Sequence, residues 1–340
     1  MARPPADEQV AFLRHLQRLL DEGQFVATYK YALLLALAEL CVETGDDSGS
    51  ELGISLSAIA DKFLAMYWSH TLPYPVPGSG SDTPLSQNLG RNIAVLREIG
   101  AFRSRIDSLA QARRHPDWTR LREATTRIVR EMPLMRLQTL RGGELIFLYR
   151  NQIDEDAIRL LPGVAFHFRQ FHGLVQHVVR GAWVRHIRSN PRNDTLLGQT
   201  ADLEEFLFGS GRAQYPHLKE ALRELQAGKC FYCGKSLGRD FQLDHFISWS
   251  RYPSDLGHNF VLADRRCNSE KSDLLADQLF LAAWQERNRT RERDLATVFE
   301  RSAVSNDRVA SERIAKWAYA RAELSGAVFW RPGLAGNEVG

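Results

Sequence analysis

The sequence predicts a mainly α-helical protein with a small unit of two strands and one helix near its C-terminus, stapled by a metal ion. Three observations predict this fold class. Apolar residues recur at helical spacing through most of the first 190 residues. Alternating apolar and polar residues around 241–245 indicate one short strand, and the short run at 259–262 indicates a second. A Cys-x-x-Cys pair precedes these strands and an Asp-x-x-Cys pair follows them, and together the two pairs supply four metal ligands.

Length and composition indicate an ordinary globular protein. The 340 residues are enough for two domains, and 44% of them are hydrophobic and 25% are charged. Four cysteines, two of them in one Cys-x-x-Cys, favour a metal site in a reducing, cytoplasmic setting over a disulfide framework. The longest apolar stretch, 31–42, is too short to span a bilayer and contains Glu39. We therefore expect no membrane contact, and the N-terminus has no secretory signal.

The distribution of charge is more informative than the net charge of +3. Between residues 102 and 150 the chain has 11 arginines, no lysine and 5 acidic residues. Such a block suits contacts with phosphate groups. A solvated helix face explains it equally well, and the sequence leaves both explanations open. The same two explanations hold for Arg287, Arg289, Arg291 and Arg293.

Local signals mark the elements of the N-terminal region. Apolar spacing predicts helices over about 12–20, 31–42 and 161–187. The glycine pair at 142–143 predicts a hairpin between 134–137 and 145–149. Gly23 is expected to end the first helix, and Ser55 or Ser57 is expected to cap the start of a third. Another helix is expected to begin at Thr83-Pro84 and to end at Gly100.

Four regions follow from these signals. Residues 1–190 form a helical region that could divide into two subdomains near 73–84, and 191–227 contain a linker, best placed at 189–194, with further helices. Residues 228–276 form the metal-held unit. Residues 277–340 form C-terminal helices, marked by the apolar positions of 279–284 and 311–324, which pack on that unit.

The metal ligands are predicted from spacing and residue type. Cys230 and Cys233 have the spacing of a zinc knuckle, and Gly234 would ease the tight turn that follows. Cys267 is a natural third ligand. Asp264 stands where a second Cys-x-x-Cys would begin, and a carboxylate can complete a tetrahedral zinc site.

A second group of polar residues suits hydrolysis of a phosphodiester bond. Asp244 and His245 end the first predicted strand, and because side chains alternate along a strand they point to opposite faces. A histidine is the ordinary base near neutral pH. Asp244 and Asn268 offer the hard oxygen ligands that a divalent ion needs.

The stretch 230–276 resembles the HNH, or ββα-metal, endonuclease superfamily, in the subgroup whose zinc site is framed by cysteines. The resemblance rests on Cys-x-x-Cys, the pair Asp244-His245, the central Asn259, and Cys-Asn-x-x-Lys ending at Lys271, in this order. The sequence departs from the subgroup at Asp264, where most members have a cysteine, which puts the affinity for zinc in doubt. Asn268 stands where the family often has a histidine.

The resemblance implies a role for each matched position. His245 would be the general base, and Asp244 and Asn268 would hold one catalytic ion, Mg²⁺ or Mn²⁺. Asn259 would brace the loop between the strands and so orient His245. Lys271 would contact phosphate or structure the helix. The structural Zn²⁺ would be bound by four ligands: Cys230, Cys233, Asp264 and Cys267.

The implied activity is metal-dependent cutting or nicking of DNA, most naturally double-stranded. The helical region 1–190 would then recognise DNA, regulate the nuclease or dock a partner. By analogy alone, the layout suggests bacterial genome defence or restriction, with other defence proteins as partners. Two alternatives remain. The unit could be a non-catalytic zinc ribbon that binds nucleic acid, or a nuclease active only within a multi-protein complex.

Other candidate ligands have simpler explanations. His167, His172, His177 and His186 lie on or near one predicted helix without the i, i+4 spacing of a helical metal pair, so we expect packing or surface positions. His258 is expected to be structural or exposed, and Cys41 to be buried and inert.

Overall fold

A computed structural model describes residues 3–75, 83–90, 93–106, 108–197, 202–209 and 215–333. The predicted loop at 73–81 falls mostly outside these residues. The chain divides into two compact units, Met1–Gly209 (unit 1) and Ser210–Gly340 (unit 2). Helices predominate in both units and the strands form small antiparallel pairs, so the prediction of a mainly helical chain is confirmed. No helix among the described residues is both long and apolar enough to cross a lipid bilayer.

Unit 1 is built around one helix that is buried on all sides. Its helices are α1 Ala6–Glu22, α2 Tyr29–Thr44, α3 Leu56–Trp68, α4 Ala94–Arg103, α5 Leu109–Ala112, α6 Trp118–Val129, α7 Val164–Gln170, α8 His172–Arg188 and α9 Leu203–Phe208, with a π-helical turn at Arg130–Leu134. Its strands are β1 Leu52–Ser55, β2 Thr139–Leu140, β3 Gly143–Glu144 and β4 Ala157–Leu160. Helix α2 is apolar all round, which is the pattern of a core helix, and α3, α7 and α8 pack against it.

Several local predictions for unit 1 are confirmed. Helix α1 ends before Gly23, and the Ser55 hydroxyl caps α3 by accepting a hydrogen bond from the Ala58 amide. A hairpin forms around the glycine pair, but its strands are β2 Thr139–Leu140 and β3 Gly143–Glu144. The predicted strand 134–137 is instead helical or turn, and 145–149 forms no strand. The predicted helix over 161–187 is two helices, broken at Phe171.

Two predictions for unit 1 are wrong. No helix begins at Thr83, because the described part of 83–90 is extended and the next helix begins at Ala94. The segment 189–194 is no linker, since its Asn190 and Asn193 side chains are fully buried. The two errors share one cause. Asn193 accepts a hydrogen bond from the Ser86 amide and donates to the Ser86 carbonyl, which joins the two segments within unit 1.

Unit 2 contains the predicted strand–loop–strand–helix. Its elements are α10 Pro216–Leu225, β5 Gln242–His245, β6 Phe260–Ala263, α11 Arg265–Lys271, α12 Gln278–Thr290, α13 Glu292–Arg301 and α14 Arg308–Leu324. Strands β5 and β6 are antiparallel, with Gln242 opposite Ala263 and His245 opposite Phe260. Helix α11 is shorter than the predicted 265–276, because Ser272 adopts φ +44° and ends it.

The C-terminal helices pack directly on the loop and strands. The Trp284 ring of α12 stacks on Phe246 at 5.0 Å between centroids, and its indole N–H donates to the His258 carbonyl at 2.8 Å. The Tyr319 hydroxyl of α14 donates to the Ala276 carbonyl at 2.6 Å. These contacts enclose the back of the β5–β6 hairpin in apolar side chains and hold its loop from behind.

Candidate metal centre and active site

Four side chains converge at one end of the β5–β6 hairpin. The sulfur atoms of Cys230, Cys233 and Cys267 and a carboxylate oxygen of Asp264 all lie within 4.8 Å of one another. Ligand atoms of a tetrahedral zinc ion with Zn–S bonds of about 2.3 Å are separated by roughly 3.8 Å, so the cluster has the right size. The cluster could therefore hold a metal ion such as zinc.

Backbone hydrogen bonds form the turn that carries the first two cysteines. The Gly234 amide donates to the Cys230 carbonyl at 3.0 Å, and the Cys230 amide donates to the Lys235 carbonyl at 2.8 Å. Gly234 adopts φ +69°, a conformation that suits glycine, as its place after Cys233 predicts. The Phe231 amide donates to the Leu262 carbonyl at 2.9 Å, which attaches the turn to β6.

Asp264 has two functions in this cluster. Its Oδ1 accepts a hydrogen bond from the Cys267 amide at 2.9 Å and so caps α11, while Oδ2 accepts from the Cys233 thiol at 3.0 Å. Burial raises the pKa of the Asp264 carboxyl, but these hydrogen bonds outweigh burial and hold that pKa well below its usual range. The carboxylate is therefore ionised and available to a cation.

The thiols show the opposite effect. Burial, and then the neighbouring carboxylate and sulfur atoms, raise the pKa of Cys267 far above its usual range, and burial raises the pKa of Cys230. A divalent cation among these groups reverses this effect, because it stabilises thiolates strongly. The donor set and its electrostatics both fit a bound metal ion.

Asp244 lies on the face of β5 that is turned toward α11. It is buried, and its Oδ2 accepts a hydrogen bond from the hydroxyl of Tyr232, which lies between the two cysteines of the metal-binding turn. The Lys271 ammonium lies 3.1 Å from Oδ2 and 3.2 Å from Oδ1. Asp244 is thus bonded to both segments that carry the metal ligands.

Lys271 lies in the interior of unit 2. It is fully buried, and its ammonium also donates to the His245 carbonyl at 2.9 Å. In this position it fastens α11 to the end of β5, and its charge faces the protein interior. A phosphate group outside the protein does not reach it.

Asn268 contacts the start of β5, and Asn259 contacts the loop that follows this strand. The Asn268 amide donates to the Gln242 side chain, which leaves its carbonyl oxygen as an acceptor next to β5. The Asn259 side chain makes two hydrogen bonds with Ile247, accepting from its amide at 2.7 Å and donating to its carbonyl at 2.9 Å. Asn259 therefore fixes the backbone two residues after His245, as its predicted bracing role requires.

His245 has a side-chain partner that the sequence analysis missed. Its Nε2 lies 2.8 Å from Oδ1 of Asp255, and the Tyr215 hydroxyl donates to Oδ2 of Asp255 at 3.0 Å. Asp255 lies ten residues beyond His245 in the loop, where no periodicity or motif marks it. The only available signal was that the loop contains a carboxylate able to fold back on the histidine.

The remaining candidates occupy the positions expected of structural residues. His167, His172, His186, His258 and Cys41 are buried, and His177 is exposed. Burial raises the pKa of the Cys41 thiol well above its usual range, which keeps it unreactive. Among the described residues, the only group of three or more histidine, cysteine or acidic side chains placed to hold a metal is the cysteine–aspartate cluster.

Several arginines of both arginine-rich segments are engaged in contacts within the protein. In the 102–150 block, Arg105 pairs with Asp117 and Arg130 with Asp156. In the C-terminal run, Arg287 is turned inward and donates to the carbonyls of His258 and Phe260. Neither segment is a uniform basic surface.

Comparison with known proteins does not assign the chain to a family. No profile of a known protein family matches the chain, and a search of curated proteins finds no similar sequence.

Proposed function

We propose that unit 2 is a metal-dependent endonuclease of the HNH kind that cuts or nicks DNA. One observation carries the proposal. The end of β5 presents Asp244 and His245 next to each other, with Asn259 holding the loop behind the histidine and Asn268 on the facing helix. The cysteine–aspartate cluster clamps the turn before these strands to the start of α11, and such a clamp lets a small unit hold a precise geometry.

The proposed reaction is hydrolysis of one phosphodiester bond. His245 accepts a proton from a water molecule as the water oxygen forms a bond to phosphorus. The bond between phosphorus and the 3′ oxygen breaks, and that oxygen takes a proton from solvent. The products are a 5′-phosphate and a 3′-hydroxyl, and His245 returns its proton to solvent. A divalent ion such as Mg²⁺ or Mn²⁺ supplies positive charge for the crowded phosphate when bound.

The acceptors at the strand end permit such an ion. A carboxylate offers about four lone pairs. In Asp244, Tyr232 and Lys271 use three of them, which leaves one on Oδ1. Together with the carbonyl oxygen of Asn268, this is the kind of hard oxygen donor that Mg²⁺ and Mn²⁺ prefer.

A second candidate function is supported by the same contacts. Lys271 already places a positive charge on Asp244, so the carboxylate is neutralised without a divalent ion. A non-catalytic zinc module that binds nucleic acid would need only this ion pair at Asp244 and no catalytic ion. The enzyme remains the stronger proposal, because a binding module has no use for the pair of His245 and the loop-bracing Asn259.

Cleavage of supercoiled plasmid separates the two functions. The purified protein is incubated with plasmid and Mg²⁺ or Mn²⁺, alongside His245→Ala, Asn268→Ala and the matched control His217→Ala, which alters an exposed histidine. The enzyme predicts nicking by the wild type and the control, and loss of at least about 100-fold in His245→Ala. Zinc content must be equal in all four proteins. Plasmid binding without nicking in any of them supports the module and rejects the enzyme.

The wider context is proposed by analogy. Double-stranded DNA is the expected substrate, a reducing cytoplasmic setting suits free cysteines, and a part in genome defence would follow from the layout. Unit 1 would then serve DNA recognition, regulation or docking of other defence proteins.

A further inference from the structure

The loop between β5 and β6 carries a carboxylate that is bonded through both of its oxygens. Oδ1 of Asp255 lies 2.8 Å from Nε2 of His245, and Oδ2 accepts the Tyr215 hydroxyl at 3.0 Å. The two acceptor atoms are thus fixed by groups from different parts of unit 2. Tyr215 immediately precedes α10, well outside the strand–loop–strand–helix.

This contact favours one tautomer of His245. An ionised carboxylate only accepts hydrogen bonds, so a neutral imidazole bonded to it carries its ring proton on Nε2. Nδ1 then has a free lone pair, which is what a general base requires. The ring itself is held in place by Phe260, with centroids 4.6 Å apart, and by Trp249 at 5.4 Å.

The pair is half-buried, in contrast to the buried ion pair of Lys271 and Asp244. The side chains of His245 and Asp255 are 23% and 28% exposed. A hydrogen bond at such exposure contributes only modest net stability. Orientation of the histidine is a better explanation of why the loop brings a carboxylate to it, and the Tyr215 hydroxyl orients that carboxylate in turn.

We propose that Asp255 is a positioning residue for His245 and that Tyr215 holds Asp255 in place. The proposal rests on the proposed function, because it assigns a partner to the proposed general base. Asp255 keeps the proton on Nε2, directs Nδ1 toward the attacking water, and faces the positive charge that forms when Nδ1 takes the proton from that water.

The variants Asp255→Ala, Asp255→Asn and Tyr215→Phe test this role, with Asp240→Asn as the matched control at an exposed acid. Loss of a residue that orients a catalytic group typically costs about 10- to 100-fold in activity. We expect that loss in the kcat of Asp255→Ala, with KM changed less than about twofold, because Asp255 touches no substrate. Asp255→Asn keeps an acceptor oxygen and should recover part of kcat, and Tyr215→Phe should lose less than Asp255→Ala.

Nitrogen NMR of His245 gives a readout that a merely structural role would not change. In the wild type we expect the neutral ring to carry its proton on Nε2, and in Asp255→Ala we expect a mixture of tautomers. A wild type that cleaves DNA together with an equally active Asp255→Ala overturns the positioning role and leaves the proposed function standing. A wild-type proton on Nδ1 also overturns the positioning role. Absence of cleavage by the wild type overturns the proposed function, and the positioning role with it.

Discussion

Two buried basic side chains in unit 2, Lys271 and His258, have different surroundings. Lys271 faces the carboxylate of Asp244, whereas neither ring nitrogen of His258 has a hydrogen-bond partner among the described residues. A buried ion pair contributes little by itself, but removing one partner leaves an unpaired charge in the interior. A buried neutral imidazole without hydrogen-bond partners already has a desolvation cost, and its protonation at lower pH adds to that cost. The two residues therefore respond to different perturbations.

Replacing Lys271 by methionine should destabilise unit 2 by about 3–5 kcal/mol, because Asp244 is left buried without its counter-charge. Urea unfolding measures the change. Lys235→Met, at an exposed lysine, is the control and should stay within about 0.5 kcal/mol of the wild type. Replacing both partners, in Asp244→Leu with Lys271→Met, should restore most of the loss. If Lys271→Met alone is as stable as the wild type, the ion pair does not form.

His258 should make unit 2 less stable in mild acid. Burial, with Arg287 and Arg308 nearby, lowers the pKa of His258 from its ordinary 6.5 to about 4. The unfolded chain therefore binds the proton first, and stability that is complete above 6.5 is lost as the pH falls toward 4. We expect His258→Phe to reduce the difference in unfolding midpoint between about pH 7.5 and about pH 5. The exposed control His217→Phe should leave that difference unchanged, and a similar change in both variants would contradict the assignment.

Some contacts of single residues were predicted from the sequence and others were not. The types and order of residues predicted the cysteine–aspartate cluster, because cysteine spacing is a local property. They did not predict that Asp255 would fold back on His245, or that Lys271 would be buried. Both facts depend on contacts across ten or more residues, and no local pattern encodes such contacts.

At the scale of elements, α11 combines a cap with a metal ligand. Asp264 begins the helix by accepting the Cys267 amide, and the same carboxylate belongs to the metal cluster. A cysteine at this position could bind the metal but would be a poor cap. The departure from the usual cysteine frame therefore has a structural benefit.

The variants Asp264→Asn and Asp264→Ala separate the two roles of this residue. Asparagine keeps an oxygen for the Cys267 amide, so the metal-free protein should be about as stable as the wild type, while alanine should cost about 1 kcal/mol. Both variants lose the anionic ligand, and we expect zinc affinity to fall at least about tenfold. Competition with a coloured chelator measures the affinity, with Asp273→Asn as the control. Unchanged affinity in Asp264→Asn would mean that the carboxylate is no ligand.

Elements with local signals were predicted well, and elements governed by distant contacts were not. The observed bounds of β5 and β6 lie within one residue of the predicted strand ends, because the residue pattern of each short strand is read locally. The cap of α3 was predicted from Ser55 alone. The helix expected at Thr83-Pro84 failed, although its start signal was good, because that segment hydrogen-bonds to Asn193 instead.

At the scale of the whole molecule, both units bury apolar side chains, and unit 2 has the candidate metal cluster in addition. Unit 1 has a continuous apolar core that runs from Phe12 to Leu207. Unit 2 is smaller and buries side chains such as Phe246 and Trp284, and its first turn and its helix α11 meet at the cluster. The sequence predicted the metal-held unit, but it placed the linker at 189–194, whereas the boundary between the units follows Gly209.

Removing the metal should therefore unfold part of unit 2 and leave unit 1 intact. Hydrogen–deuterium exchange with and without a strong chelator measures this region by region. We expect protection to fall across β5, β6 and α11 while α2 is unchanged, because structural zinc sites contribute folding energy directly. In Cys230→Ser the chelator should have little further effect. Equal exchange of both units with and without chelator would show that the cluster holds no metal.

The Tyr232 side chain connects the turn that carries Cys230 and Cys233 to strand β5. It lies one residue before Cys233, and its hydroxyl reaches Asp244. Opening of this turn, for instance by oxidation of its thiols, would remove the phenol hydrogen bond and leave the Asp244 carboxylate held by Lys271 alone. The environment of this carboxylate would therefore change with the state of the cysteines.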